Sequence, residues 1–158
     1  MKLVTTEILE RMMRDAADAG RLRTHLNIHE SPADVVQRLF VATRLNSYFR
    51  PHRHPQRSEF SIVIRGMYDV LLFDDQGVVT ERVTVGPHAN VLGFEIPMNT
   101  WHTWLPKRDE SLFFEVKEGP YDPQTAAEYA PWSPEEGDPQ VSRFVNALRK
   151  ASVGISIV

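Results

Sequence analysis

Between residues 48 and 116 the chain is a succession of short apolar runs, each cut off by turn residues before a helix could develop. The runs are 60–65, 68–73, 78–85, 90–96, 102–105 and 112–116, with Gly66, the Asp74-Asp75-Gln76-Gly77 hairpin signal and Gly86-Pro87 between them. Parallel pairing needs a crossover of a dozen or more residues, and none is present, so neighbouring runs must pair antiparallel. A sheet with one apolar face must bury it against another, which leaves a sandwich or barrel. An all-β class follows. At 158 residues, one domain is expected, able to bury about two thirds of the surface its unfolded form exposes. With Cys 0, disulfides, thiolate metal sites and cysteine nucleophiles are excluded.

Both ends change character. Ile8, Leu9, Met12, Met13 and Ala16 recur at helical spacing, which predicts an amphipathic helix capped by Thr6 and ending before Gly20. Residues 23–29 alternate, with Arg23, His25, Asn27 and His29 on one side, and 37–44 reads as a β-branched strand. Beyond the last apolar run come turn-rich stretches, then Asp138-Pro139 as a helix start ahead of Val141, Phe144, Val145 and Leu148 at i, i+3, i+4, i+7. The apolar tail 153–158 reads either as a strand pairing with a neighbouring copy, which would make a homodimer by sheet augmentation, or as a frayed end. The expected organisation is a single domain over 1–158, with a helix and extension in 1–30, a barrel core in 37–117, and turns with a helix in 118–158. With Lys+Arg 18 against Asp+Glu 21, the formal charge of -3 gives no general attraction to nucleic acid or to an anionic membrane. The N-terminus turns polar within seven residues and no later run is long enough to span a bilayer, so a cytoplasmic protein without a membrane partner is expected.

The chemistry concentrates in Pro51-His52-Arg53-His54 and the Glu59 and Gly66 that follow. In an extended chain the period of two puts the imidazoles of His52 and His54 on one face, a chelating arrangement. The excursion before Glu59 could turn the chain and return a carboxylate to them. His102, five residues after Pro97, offers a third imidazole at the head of a strand. Three neutral imidazoles and a carboxylate suit one divalent ion of Fe, Mn, Ni, Co or Zn and leave coordination positions open. At this chain's own residue frequencies, H-x-H-x4-E-x6-G arises by chance about once in a thousand chains.

These residues resemble the two motifs of the cupin superfamily. His52, His54, Glu59 and Gly66 carry the first, while Pro97 and His102 carry the second, with Asn99 where a glycine is usual and Pro106 where an asparagine is usual. The resemblance implies a double-stranded β-helix, or jelly-roll barrel, flanked here by an N-terminal and a C-terminal helix. It also implies that the metal ligands are His52, His54, Glu59 and His102. A narrower likeness, over about residues 20–136, rests on 23–29, the Pro-His-x-His element, 97–104, 114–121 and Ala130-Pro131-Trp132. That stretch is similar to the WbuC-type cupin-fold metalloproteins, a family associated with bacterial surface-polysaccharide (O-antigen) gene clusters and without an assigned reaction.

Other residues are candidates around this centre. Glu115 and Lys117 share one face of the last strand with Phe113; inside the barrel they would serve as general base and acid, or form a structural ion pair. His25, Asn27 and His29 would line the pocket mouth or lie on a solvated strand face. Trp104, on the same side as His102, would present an aromatic wall to a substrate or belong to the core. Two functions are expected from these residues. One is a metalloenzyme on a small polar molecule, for which the resemblance implies a sugar or nucleotide sugar and an isomerase, epimerase or oxygenase reaction. The other is a non-catalytic, metal-containing carrier or sensor of a carbohydrate or similar small ligand. The residue types leave the metal, substrate and reaction open.

Overall fold

Ten strands and two helices account for the alternating and helical patterns in the computed structural model, which describes residues 1–158. In order they are α1 (Thr6–Asp18), β1 (Arg23–Asn27), β2 (Val36–Thr43), β3 (His52–Arg53), β4 (Glu59–Arg65), β5 (Tyr68–Phe73), β6 (Val79–Val85), β7 (Gly93–Ile96), β8 (Trp101–Pro106), β9 (Ser111–Glu118), β10 (Glu128–Tyr129) and α2 (Val141–Lys150). They form two five-stranded sheets, β1-β2-β9-β4-β7 and β10-β3-β8-β5-β6, with every neighbouring pair antiparallel. The jelly roll flanked by two helices is the architecture the sequence predicts. No helix is long and apolar enough to cross a membrane.

Register decides what faces inward. Across the first sheet, Gln37, Lys117, Glu59 and Ile96 stand in one row. Leu39, Glu115, Ser61 and Phe94 form the next, and Val41, Phe113 and Val63 the third. The inner face therefore grades from charged to apolar along the strands. The apolar end meets Tyr68, Val70 and Trp104 of the second sheet in a closed core, where the Trp104 and Phe113 rings stack 4.2 Å apart at 16°. Outside that sheet, α2 and the tail cover Leu71, Phe73, Val79, Trp101 and Leu105. On the first sheet, Met12, Met13 and Ala16 of α1 bury Ala42 and Leu112. Each large apolar side chain so buried contributes roughly 1.5–3 kcal/mol.

Several boundaries differ from expectation for local reasons. The cap of α1 is Thr5, not Thr6, because it is the Thr5 hydroxyl that accepts the Ile8 N–H at 3.3 Å. Helix α2 starts at Val141 and not at Pro139, since the Asp138 carboxylate accepts the Gln140 N–H at 2.7 Å and holds a turn ahead of the helix. The tail neither frays nor waits for a neighbour. It bridges its own β6 region, Gly154 N–H donating to Val79 O at 2.8 Å, Val79 N–H to Ile155 O at 3.0 Å and Ile157 N–H to Gly77 O at 3.1 Å. The edge that suggested a homodimer is thus occupied within the chain. Strands β3 and β10 are two residues each, too short for periodicity to reveal. Gly66, which closes the first motif, has φ +78°, and a Cβ there would lie 2.0 Å from the Ser111 hydroxyl, so only glycine fits.

The second sheet is fastened to α2 through one buried ion pair. Asp69 on β5 accepts hydrogen bonds from Arg82 at 2.5 Å and Thr84 at 2.6 Å, and Arg82 also donates to Leu148 O and Ala151 O at the end of α2. Burial pushes the Asp69 carboxyl up, but the bonds from Thr84, Arg82 and Lys107 outweigh it and hold the group below its ordinary value. This stabilisation is complete above the unfolded carboxyl value near 4 and is lost as pH falls through the folded one. Asp69→Asn is expected to cost about 2 kcal/mol at pH 7. In urea unfolding, the gap to wild type should narrow as pH is lowered from 5 to 3; a gap that stays constant would contradict the ionised pairing.

Candidate metal centre

Two sheets supply the residues of the first motif. His52 lies on β3 directly opposite His102 on β8, both in the second sheet. After His54 a turn at Pro55-Gln56 carries the chain across the sandwich, so that Glu59 opens β4 in the first sheet. The short excursion therefore does more than return a carboxylate to the same side: it makes Glu59 face the imidazoles from the opposing wall. In the second motif, Asn99 has φ +60° and its N–H donates to His54 O at 2.7 Å. Asparagine tolerates this left-handed conformation, which explains its standing in for the usual glycine.

The imidazoles are oriented by the same device three times. Nδ1 of His52 lies 2.9 Å from Arg50 O, Nδ1 of His102 lies 2.8 Å from Thr100 O, and Nδ1 of His54 lies 2.5 Å from Ala126 O. A carbonyl can only accept, so each Nδ1 carries the proton and each Nε2 presents a lone pair. The three rings bring one nitrogen each within 4.8 Å of one another, a grouping able to hold a metal ion. Burial, with His102 and His54 adding to it, lowers the His52 pKa well below its ordinary value and keeps that ring neutral.

Facing these lone pairs is a carboxylate. Glu59 Oε2 lies 3.0 Å from His54 Nε2 and Oε1 lies 3.3 Å from His102 Nε2, with Glu59 only 2% exposed. Burial works against its charge, and the Lys117 ammonium 3.7 Å away favours it. Nε2 of His54 and of His102 are both buried without a hydrogen-bond partner. Lone pairs converging on an anionic oxygen repel unless a cation lies between them, so the donor set fits a divalent transition metal.

Glu115 and Lys117 stand one strand over from Glu59. Lys117 Nζ is 2.6 Å from Glu115 Oε1 and 3.7 Å from Glu59 Oε2. Burial opposes the ammonium, but the two carboxylates outweigh it and raise the Lys117 pKa. Burial also raises the Glu115 carboxyl, which Lys117 offsets only in part. Of the two roles the sequence left open, the ion pair is present, and it stands beside Glu59 in the same cluster.

A cavity of about 580 Å³ opens over this cluster. His25 and Asn27 line it from β1 and remain exposed, while His29 lines it buried, its Nδ1 3.0 Å from both the N–H and the carbonyl of Arg38. Trp104 touches the cavity but is 2% exposed and stacked in the core, so its bulk serves packing first. Sequence reasoning missed Gln37, Tyr121 and Tyr129, which also line it. Gln37 was findable as a polar residue in phase with Leu39 and Val41; Tyr121 lies in a loop and Tyr129 in the two-residue strand β10, neither long enough to show a period. Arg53 is turned away, pairing with Glu128 and stacked 4.3 Å over Trp101.

Residues 4–85 match a family model described as Domain of unknown function (DUF6016), and no curated protein matches the chain. Among solved structures, KdgF from Halomonas sp. is similar at 19% identity and a TM-score of 0.50, over 65% of this chain and 82% of that one. Oxalate decarboxylase from Bacillus subtilis at pH 4.6 is 15% identical with a TM-score of 0.53, over 68% of this chain and 27% of that one. Oxalate oxidase in complex with the substrate analogue glycolate is 18% identical with a TM-score of 0.53, over 83% of this chain and 67% of that one. At these identities the likeness is one of fold, and the fold is that of the cupins.

Trp104→Ala should therefore destabilise the fold by about 3–5 kcal/mol. Chemical denaturation checks this; a cost below about 1 kcal/mol would mark Trp104 as a solvent-facing wall and not a core residue.

Proposed function

The chain belongs to the family described as Domain of unknown function (DUF6016), and from its site we propose a metal-dependent cupin in which His52, His54, Glu59 and His102 hold one divalent transition-metal ion. One observation carries this reading: the buried, unpartnered Nε2 atoms of His54 and His102, aimed at an ionised carboxylate. A bound ion would polarise a substrate oxygen or lower the pKa of a bound water. The chain's own residues do the rest. Glu115 accepts a proton, Lys117 holds one at Nζ beside Glu59, and the two lie on the wall where a small polar molecule enters. This titratable pair favours catalysis over a purely binding role, since a carrier has no need of a buried acid and base at its base.

For the substrate we infer a sugar or nucleotide sugar. Support comes from the resemblance to the WbuC-type proteins and from a cavity wall that offers His25, Asn27 and Gln37 as hydrogen-bonding groups and Tyr121 and Tyr129 as flat faces. A place in surface-polysaccharide synthesis rests on that resemblance alone.

Metal content of natively expressed protein tests the ligand set. Wild type is expected to carry close to one ion per chain, and His54→Ala and His102→Ala to lose most of it while keeping a folded barrel by circular dichroism; full occupancy in either variant would contradict the assignment. Affinity should also drop between pH 7 and pH 5, because an imidazolium has no free lone pair with which to coordinate. An unchanged titration at pH 5 would rule out histidine ligation. Thermal shifts of the metal-loaded protein with nucleotide sugars test the substrate class.

A further inference from the structure

The three imidazoles differ in where their orienting carbonyl comes from. For His52 and His102 it lies two residues upstream, on Arg50 and Thr100, so those rings are set by their own strands. For His54 it is Ala126 O, which is 72 positions away along the chain. Ala126 sits in the stretch 121–130, which runs over the cavity and lines it with Tyr121, Pro123, Ala126, Ala127 and Tyr129.

That stretch is fastened at its ends, the far one by the pairing of β10 with Arg53 and His52 of β3, and has no strand pairing in between. Tyr121 N–H donates to Pro32 O at 2.7 Å, and Arg57 donates to Glu118 O and Pro120 O. At the far end, Ala130 N–H donates to Pro51 O at 2.9 Å, and Arg53 binds Glu128 Oε2 through Nε at 2.8 Å and a terminal nitrogen at 2.6 Å. Between them the chain folds on Asp122, whose carboxylate accepts the Gln124 N–H at 2.9 Å and whose carbonyl accepts the Ala126 N–H at 2.7 Å. Ala126 is 7% exposed, and its neighbours at 122–125 and 128–129 face solvent.

We propose that residues 121–130 form a strap whose closure positions His54, so that metal binding and coverage of the cavity are coupled. The inference rests on His54 being a metal ligand. With the strap down, Ala126 O fixes the Nδ1–H tautomer and turns the Nε2 lone pair toward Glu59. With the strap lifted, the ring loses that partner and is free to rotate or take the other tautomer. A cation on Nε2 makes Nδ1–H a stronger donor and tightens the bond to Ala126 O. Linkage then runs both ways: metal closes the strap, and the closed strap strengthens metal binding. Asp122 and Glu128 act here as positioning residues, since neither lines the cavity nor reaches the imidazoles.

The test uses the full chain and Co²⁺ as probe, followed by its visible absorption, with hydrogen exchange of the peptide covering 122–130 as a readout independent of activity. In wild type, Co²⁺ is expected to slow exchange at Thr125 and Ala126. The double variant Asp122→Ala/Glu128→Ala should bind Co²⁺ at least about tenfold more weakly and lose that protection. Its apo melting temperature should stay near that of wild type; if it fails to fold, Glu128→Gln replaces it, with a smaller shift in the same direction. Co²⁺ affinity within twofold of wild type, or exchange at 122–130 indifferent to Co²⁺, overturns the strap. Absence of Co²⁺ binding by wild type overturns the metal reading itself, a distinct result.

Discussion

A carboxylate and three imidazole lone pairs repel one another unless a positive charge lies among them, and the residues around Glu59 are arranged about that electrostatic demand. Glu59 approaches from one sheet and the histidines from the other, so the donor set exists only when the sandwich is closed. Each imidazole is turned by a backbone carbonyl, which fixes its tautomer at little entropic cost because the acceptor belongs to the main chain. Lys117 adds a buried cation at the periphery, close enough to Glu59 to influence it and held in place by Glu115.

The inner face of the first sheet shows how one surface serves both stability and chemistry. At Val41, Phe113 and Val63 it is part of a packed core; two rows along it presents Gln37, Lys117 and Glu59. Strand alternation makes this possible, since every second residue faces inward whatever its polarity. The apolar rows carry the folding energy and leave the polar rows free to be costly.

The fold class, most strand positions and the four residues of the motif pair were legible because alternation and the H-x-H spacing are local signals. Glu115 and Lys117 were legible as partners for the same reason. What the sequence did not disclose depends on long-range pairing. Strands of two residues have no period, so β3 and β10 were invisible, and with them the segment that brings Ala126 to His54. The apolar character of the tail leaves open whether it pairs or frays, and only tertiary structure says that it pairs and with what. Asp138 looked like a helix cap and stands two residues ahead of it, since an Asx turn and an N-cap share the same residue type.

Because Glu59 and the histidines are split between facing walls, the stacked rings of Trp104 and Phe113 act as the spacer of a caliper. Their thickness holds the walls apart two residues along the strands from His102 and Glu115. The width of the polar end is then in part a property of the hydrophobic filler beside it.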